Sequence, residues 1–218
     1  DYSTPSDNPT IKWVFETGDS IQSSATINEA NVYVGSNDGN LYCIDLDTGY
    51  QKWCIQTGDF VISKPAITSE GNIVFGSGDE FVYCASANDG NVIWNTKLGG
   101  SVLSDPLTSE GRVFIGCGDG KIYCLNSASG EIVWGYQTDG LMRQRPILEN
   151  GILYAFVRDT YIWYAIDAST GQLIWRGNAN TDESLFVCGD VRPVIANGKL
   201  WCIDAQNTRP AYLSLDTG

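Results

Sequence analysis

Six charged residues fall at matched places in this sequence and could act together. Lys64, Arg143, Arg145 and Arg192, with Asp105 and Asp190, sit in segments of like pattern: VISKP (61–65), VLSDP (102–106), MRQRP (142–146) and GDVRP (189–193), with IQSSA (21–25) as an uncharged counterpart. The residue before the Pro or Ala runs Ser24, Lys64, Asp105, Arg145, Arg192, and two residues earlier it runs Gln22, Ile62, Leu103, Arg143, Asp190. If these segments are extended, strand alternation puts both positions on one face. Four of the 13 basic residues then gather in a chain of net charge -13. Three chemistries fit. The cations pair with Asp105 and Asp190 on a wet surface, adding little stability. Alternatively they form a cationic mouth for a carboxylate, phosphate or acidic peptide, with arginine supplying paired donors. Or Asp105 and Asp190 serve as the acid and base of a hydrolase, although carboxylates beside arginines are more simply ion pairs.

Other chemistry is excluded by residue type. The chain has no histidine, which removes serine–histidine and cysteine–histidine catalysis and histidine metal ligation. There is no Cys-x-x-Cys pair, so no zinc site is expected. Cys43, Cys84 and Cys124 each follow a tyrosine, and Ala165 follows Tyr164 at the corresponding place. That pattern reads as a small packing residue rather than a disulfide framework. The acidic balance argues against nucleic acid and anionic lipid as partners. No run of about 18 apolar residues occurs, so membrane insertion by a helix is not expected.

The elements that carry these residues repeat. Trp13, Trp53, Trp94, Trp134 and Trp175 are spaced by 40, 41, 40 and 41 residues, and Gly49, Gly90, Gly130 and Gly171 each precede one by four. Such a period marks an array of like units. Within one unit KWCI (52–55), FVISKPAI (60–67), NIVF (72–75) and FVYCA (81–85) read as four short strands separated by Gly, Asp and Asn turns. Four strands per unit of about 40 residues make a propeller blade. Asp38-Gly39 and Asp119-Gly120 read as hairpin turns, with Asp79-Glu80 and Asp159-Thr160 as looser versions. The pattern predicts an all-β, five-bladed β-propeller of four-stranded antiparallel blades. The N-terminal strand IKWVF (11–15) is expected to join C-terminal strands and close the ring. Residues 1–10 read as a flexible tail or linker and 11–218 as a single domain. Closed rings leave no sheet edge exposed, so a monomeric ring is expected; a segment of a longer ring is the rival.

CIDLDTGYQKW (43–53) and AIDASTGQLIW (165–175), with the looser copies CASANDGNVIW (84–94) and CLNSASGEIVW (124–134), resemble the tryptophan-docking motif of pyrroloquinoline-quinone-like (PQQ-like) propeller repeats. The resemblance spans about residues 11–218. It implies that each indole packs on the glycine of a neighbouring blade, an apolar staple worth on the order of 3 kcal/mol. Trp13, Trp53, Trp94, Trp134, Trp175 and the four glycines are therefore assigned structural roles. The family includes quinone-dependent dehydrogenases, a lipoprotein of the barrel-assembly machinery, and sensor domains. No positions match the dehydrogenases' calcium site and no Cys-Cys pair occurs, so neither the quinone nor calcium is expected and no catalytic residue is carried over.

The expected function is non-catalytic: a binding or protein-interaction module, compatible with being part of a larger polypeptide. Alternatives are a small anionic or acidic ligand in the central channel, held by Lys64, Arg143, Arg145 and Arg192 with Asp105 and Asp190, and an enzyme, quinone-dependent or glycosidase-like. Trp163 takes a place held by Leu41, Val82 and Ile122 and reads as core. The enlarged polar loop 176–183 is a candidate partner surface. The thiols lean toward a reducing compartment and the resemblance toward an extracytoplasmic one.

Overall fold

The computed structural model describes residues 10–178, 194–196, 199–203 and 210–214. Short β-branched and aromatic runs cut by Gly, Asp and Asn become strands here, and no helix forms among the described residues. The first blade holds β1 (Thr26–Asn28), β2 (Asn31–Gly35), β3 (Asn40–Asp45) and β4 (Gln51–Gln56). The second holds β5 (Ala66–Ile67), β6 (Ile73–Gly76), β7 (Phe81–Ala85) and β8 (Val92–Lys97). The third holds β9 (Leu107–Ser109), β10 (Arg112–Gly116), β11 (Lys121–Asn126) and β12 (Ile132–Gln137). The fourth holds β13 (Ile147–Glu149), β14 (Ile152–Val157), β15 (Ile162–Asp167) and β16 (Leu173–Asn178). A further sheet of three strands follows: β17 (Val194–Ala196), β18 (Lys199–Ile203) and β19 (Pro210–Ser214). Each sheet is an antiparallel meander in chain order, the form of a propeller blade.

A bulge recurs where the third strand of each blade meets the fourth, at Cys43/Ile44, Cys84/Ala85, Cys124/Leu125 and Ala165/Ile166. The small residue at this place lies opposite the repeat tryptophan: Cys43 with Trp53, Cys84 with Trp94, Cys124 with Trp134 and Ala165 with Trp175. A larger side chain there would compete with the indole for space, which explains the exchange of Cys for Ala. The cores lie between successive blades. One joins Val74, Val82 and Trp94 to Val113 and Ile115; another joins Phe114 and Ile122 to Met142, Leu153 and Tyr164.

Of the five matched segments that carry the charged set, the four described ones are not strands in their own sheets. Residues 21–25, 61–65, 102–106 and 142–146 are irregular and lead into the very short first strands β1, β5, β9 and β13; residues 189–193 lie outside the described residues. Their backbone is used between blades. The Val61 N–H donates to Ser36 O across 3.0 Å, Val102 N–H to Ser77 O across 2.9 Å, and Met142 N–H to Cys117 O across 3.3 Å, each on the preceding blade. The prolines at 65, 106 and 146 have no N–H to give to a ladder. The alternation expected of these segments therefore does not place their side chains.

The expected ring closure falls partly outside the described residues. Among those described, residues 11–15 form no strand, and β19 is paired with β18 alone. Trp13 nonetheless sits on the first blade, its Nε1 donating to Leu46 O across 3.0 Å.

Candidate functional site

The inner segments meet in a cleft of about 210 Å³, lined by Thr26, Lys64, Pro65, Ile67, Asp105 and Arg145 among others. Four successive blades contribute to it. The parts are tied together from below: Thr108 Oγ1 donates to Ile67 O across 2.8 Å, Ser23 Oγ to Ser63 O across 3.1 Å, and Ser104 Oγ to Gln144 O across 3.1 Å. Asp105 Oδ1 accepts the Lys64 backbone N–H at 2.8 Å. Of the six charged residues singled out from sequence, the structure thus brings Lys64, Asp105 and Arg145 to one place. Arg143 is exposed and is not in the cleft lining, while Asp190 and Arg192 lie outside the described residues. The loop 176–183 is described only to residue 178, where Arg176 Nη1 donates to Asp139 Oδ2 across 2.7 Å.

At the opposite, outer edge the blades are joined by the repeat tryptophans. Trp53 Nε1 donates to Ala87 O across 3.2 Å, Trp94 to Ser127 O across 2.9 Å, and Trp134 to Ala168 O across 3.1 Å, always on the next blade. Each ring lies on a glycine. A Cβ on Gly130 would stand 2.6 Å from the Trp94 ring, and Gly130 has φ +73°. Both the close approach and the left-handed backbone require a residue without Cβ. Gly49, Gly90 and Gly171 repeat the geometry against Trp13, Trp53 and Trp134.

Sequence reasoning missed a second repeated device. Tyr42, Tyr83 and Tyr123 donate their hydroxyls to Asp38, Asp79 and Asp119 across 2.8, 2.7 and 2.6 Å. The other carboxylate oxygen accepts the N–H of Asn40, Phe81 or Lys121. The carboxylates thus do more than shape hairpins. Burial opposes ionisation of Asp38, but the Tyr42 hydroxyl and the Asn40 and Gly18 amides outweigh it and hold its carboxyl below the ordinary range. The signal was legible: Asp and Tyr four residues apart, three times over.

The outermost strands carry a third feature. Val92 and Ile93 on β8, Ile132 and Val133 on β12, and Leu173 and Ile174 on β16 are all exposed, Ile93, Val133 and Ile174 to 49, 49 and 50 %. The first blade has Gln51 and Lys52 at this place. Exposed apolar pairs therefore mark the second, third and fourth blades and are absent from the first.

The family model described as outer membrane protein assembly factor BamB matches residues 61–120 and 107–218, most of the chain. This chain belongs to that PQQ-like repeat family. Among solved structures it is similar to the crystal structure of BamB from Moraxella catarrhalis, with a TM-score of 0.64 and 17 % identity over 93 % of this chain and 76 % of that one. At that identity the likeness is one of fold. No curated protein matches the chain.

The cleft is smaller than the roughly 300–1,000 Å³ usual for a bound small molecule. Among the described residues no three His, Cys, Asp or Glu side chains gather as metal ligands. The buried thiols offer no nucleophile: burial pushes Cys43 up to about 11 and Cys84 up to about 12, so they stay protonated. Trp163 is core, 1 % exposed and against Phe156 with ring centroids 5.0 Å apart.

Proposed function

We propose that this chain is a non-catalytic protein-interaction module. The observation that carries the reading is the set of exposed apolar pairs, Val92 and Ile93, Ile132 and Val133, Leu173 and Ile174, on the outer strands of three successive blades. Isolated exposed apolar residues are ordinary, whereas the same exposed apolar pair on the outer strands of three successive blades offers a repeated contact surface. The pairs are also where the repeats differ, since the first blade is polar there, and differences among repeats are where a repeat protein places recognition. The family description as an assembly factor agrees with this reading. The hydrolase alternative has less support: Asp105 is engaged by the Lys64 amide. The reading takes neither quinone nor calcium.

The test compares the chain with an Ile93→Glu/Val133→Glu/Ile174→Glu variant by proximity labelling in the source cell. Proteins labelled by the unaltered chain should be lost with the variant while its thermal midpoint stays unchanged. The same proteins labelled by both would overturn the reading.

A further inference from the structure

The described basic residues of this acidic protein are almost all engaged. Lys12 pairs with Asp47 at 3.0 Å, Lys52 with Asp45 at 3.0 Å, Lys97 with Glu80 at 3.3 Å, and Arg176 with Asp139 at 2.7 Å. Arg112 donates to Ala168 O and Ser169 O, and Lys121 lies over the Tyr123 ring. Arg145, Arg158 and Lys199 have interactions of their own. Among the described residues, the side chains of Lys64 and Arg143 alone have no such partner, although carboxylates outnumber cations 26 to 13. Both belong to inner segments, and Lys64 is half-buried in the cleft lining. A half-buried cation loses hydration and is stabilised by an anion that restores it.

We infer that the inner cleft takes a carboxylate presented by a partner polypeptide, with the Lys64 ammonium as its main contact and Arg143 at the approach. The inference rests on the reading of the chain as an interaction module but uses a different surface, the inner rather than the outer edge of the blades. Size favours one side-chain-sized group: the cleft is about 210 Å³, below the usual range for small-molecule sites. Magnitude favours a polypeptide over a free ion. A half-exposed ion pair changes affinity by about fivefold at most, so two leave a free carboxylate bound only in the range of roughly tens of millimolar. The same contacts add selectivity when the carboxylate arrives on a chain that makes others.

The experiment is a polarisation titration of the folded chain with a fluorescein-labelled, end-capped hexaglutamate, its hexaglutamine counterpart, and glutarate as competitor, at low salt. Hexaglutamate should bind and hexaglutamine should not. Lys64→Gln should weaken binding about three- to fivefold and Arg143→Gln about twofold, Lys64→Arg should retain it, and 10 mM glutarate should displace little. Equal binding of the two peptides, or full binding by Lys64→Gln with an unchanged thermal midpoint, would overturn the inference. Displacement by micromolar glutarate would overturn it in favour of a free metabolite. The outer-strand triple variant should bind hexaglutamate as the unaltered chain does, so failure of the outer surface and failure of the cleft are read separately.

Discussion

Tyr164 donates its hydroxyl to Asp139 Oδ2 across 2.7 Å, and Asp139 stands where the earlier repeats have glycine. In the first two blades the glycine N–H, from Gly18 or Gly58, donates to a turn carboxylate, Asp38 or Asp79, that also accepts the tyrosine. The fourth blade has Thr160 at the turn and has moved the carboxylate to the other side of the same contact. One bond is conserved while the residue supplying it has changed position.

Asp139→Gly should therefore destabilise the protein by about 1–3 kcal/mol, the cost of leaving the proton of the Tyr164 hydroxyl without an acceptor, although its oxygen still accepts the residue-139 N–H. Thr160→Asp added to it should recover much of the loss by restoring the arrangement of the first three blades. Urea midpoints of the two variants check this; an Asp139→Gly protein as stable as the parent would refute the exchange.

The joint between the second and third blades should fail from either side. Trp94, 8 % exposed, should cost about 3–5 kcal/mol when cut to alanine. Gly130→Ala should also destabilise, because its Cβ meets the ring at 2.6 Å with φ at +73°. The two changes should be non-additive, since the alanine no longer collides once the ring is gone. A double-mutant cycle in urea measures the coupling; simple additivity would mean the ring does not rest on the glycine.

Glu80 has φ 77°, at the hairpin place of Gly39 and Gly120. Left-handed backbone costs a side-chain-bearing residue about 1–2 kcal/mol, against about 0.4–1 kcal/mol for the added freedom of glycine when unfolded. The exposed pair with Lys97 contributes little. Glu80→Gly should thus raise the thermal midpoint slightly, and calorimetry on the two proteins decides it.

The Asp–Tyr pairs set a pH window. Asp38 and Asp119 titrate below their ordinary value in the folded chain, so their contribution is present above the unfolded carboxyl value of about 4 and is lost as pH falls through the folded one. Burial first, then the Asp79 carboxylate, raises Tyr83, and Tyr164 is pushed up to about 12 by burial and Asp139. That contribution is present below about 10 and is lost as pH rises further. Unfolding free energy from these pairs should be flat between about pH 5 and 9 and fall on both sides. The acid limb should be shallower in Asp38→Asn/Asp119→Asn, as urea titrations from pH 3 to 8 will show.

Much of the architecture was legible because it repeats. The tryptophan–glycine spacing gave the unit, and the β-branched runs between Gly and Asp turns gave its second, third and fourth strands. The inner segments misled because their apolar alternation looks like a strand, while Pro65, Pro106 and Pro146 and the bonds from Val61, Val102 and Met142 to the preceding blade remove them from their own sheets. Half of the charged set still met, since Lys64, Asp105 and Arg145 occupy equivalent places on successive blades that share one inner edge.

By itself the sequence determined the period, the strand composition and which residues are alike, because those are local properties of spacing and type. Tertiary structure alone decided what faces what: that the Trp94 indole reaches Ser127 on the next blade, that Tyr164 finds its carboxylate at Asp139 rather than in its own turn, and that Asp105 in the cleft lining takes the Lys64 backbone N–H rather than its ammonium. Each depends on how one blade is set against the next, a relation between residues about 20 to 40 positions apart that no pattern within a single repeat contains.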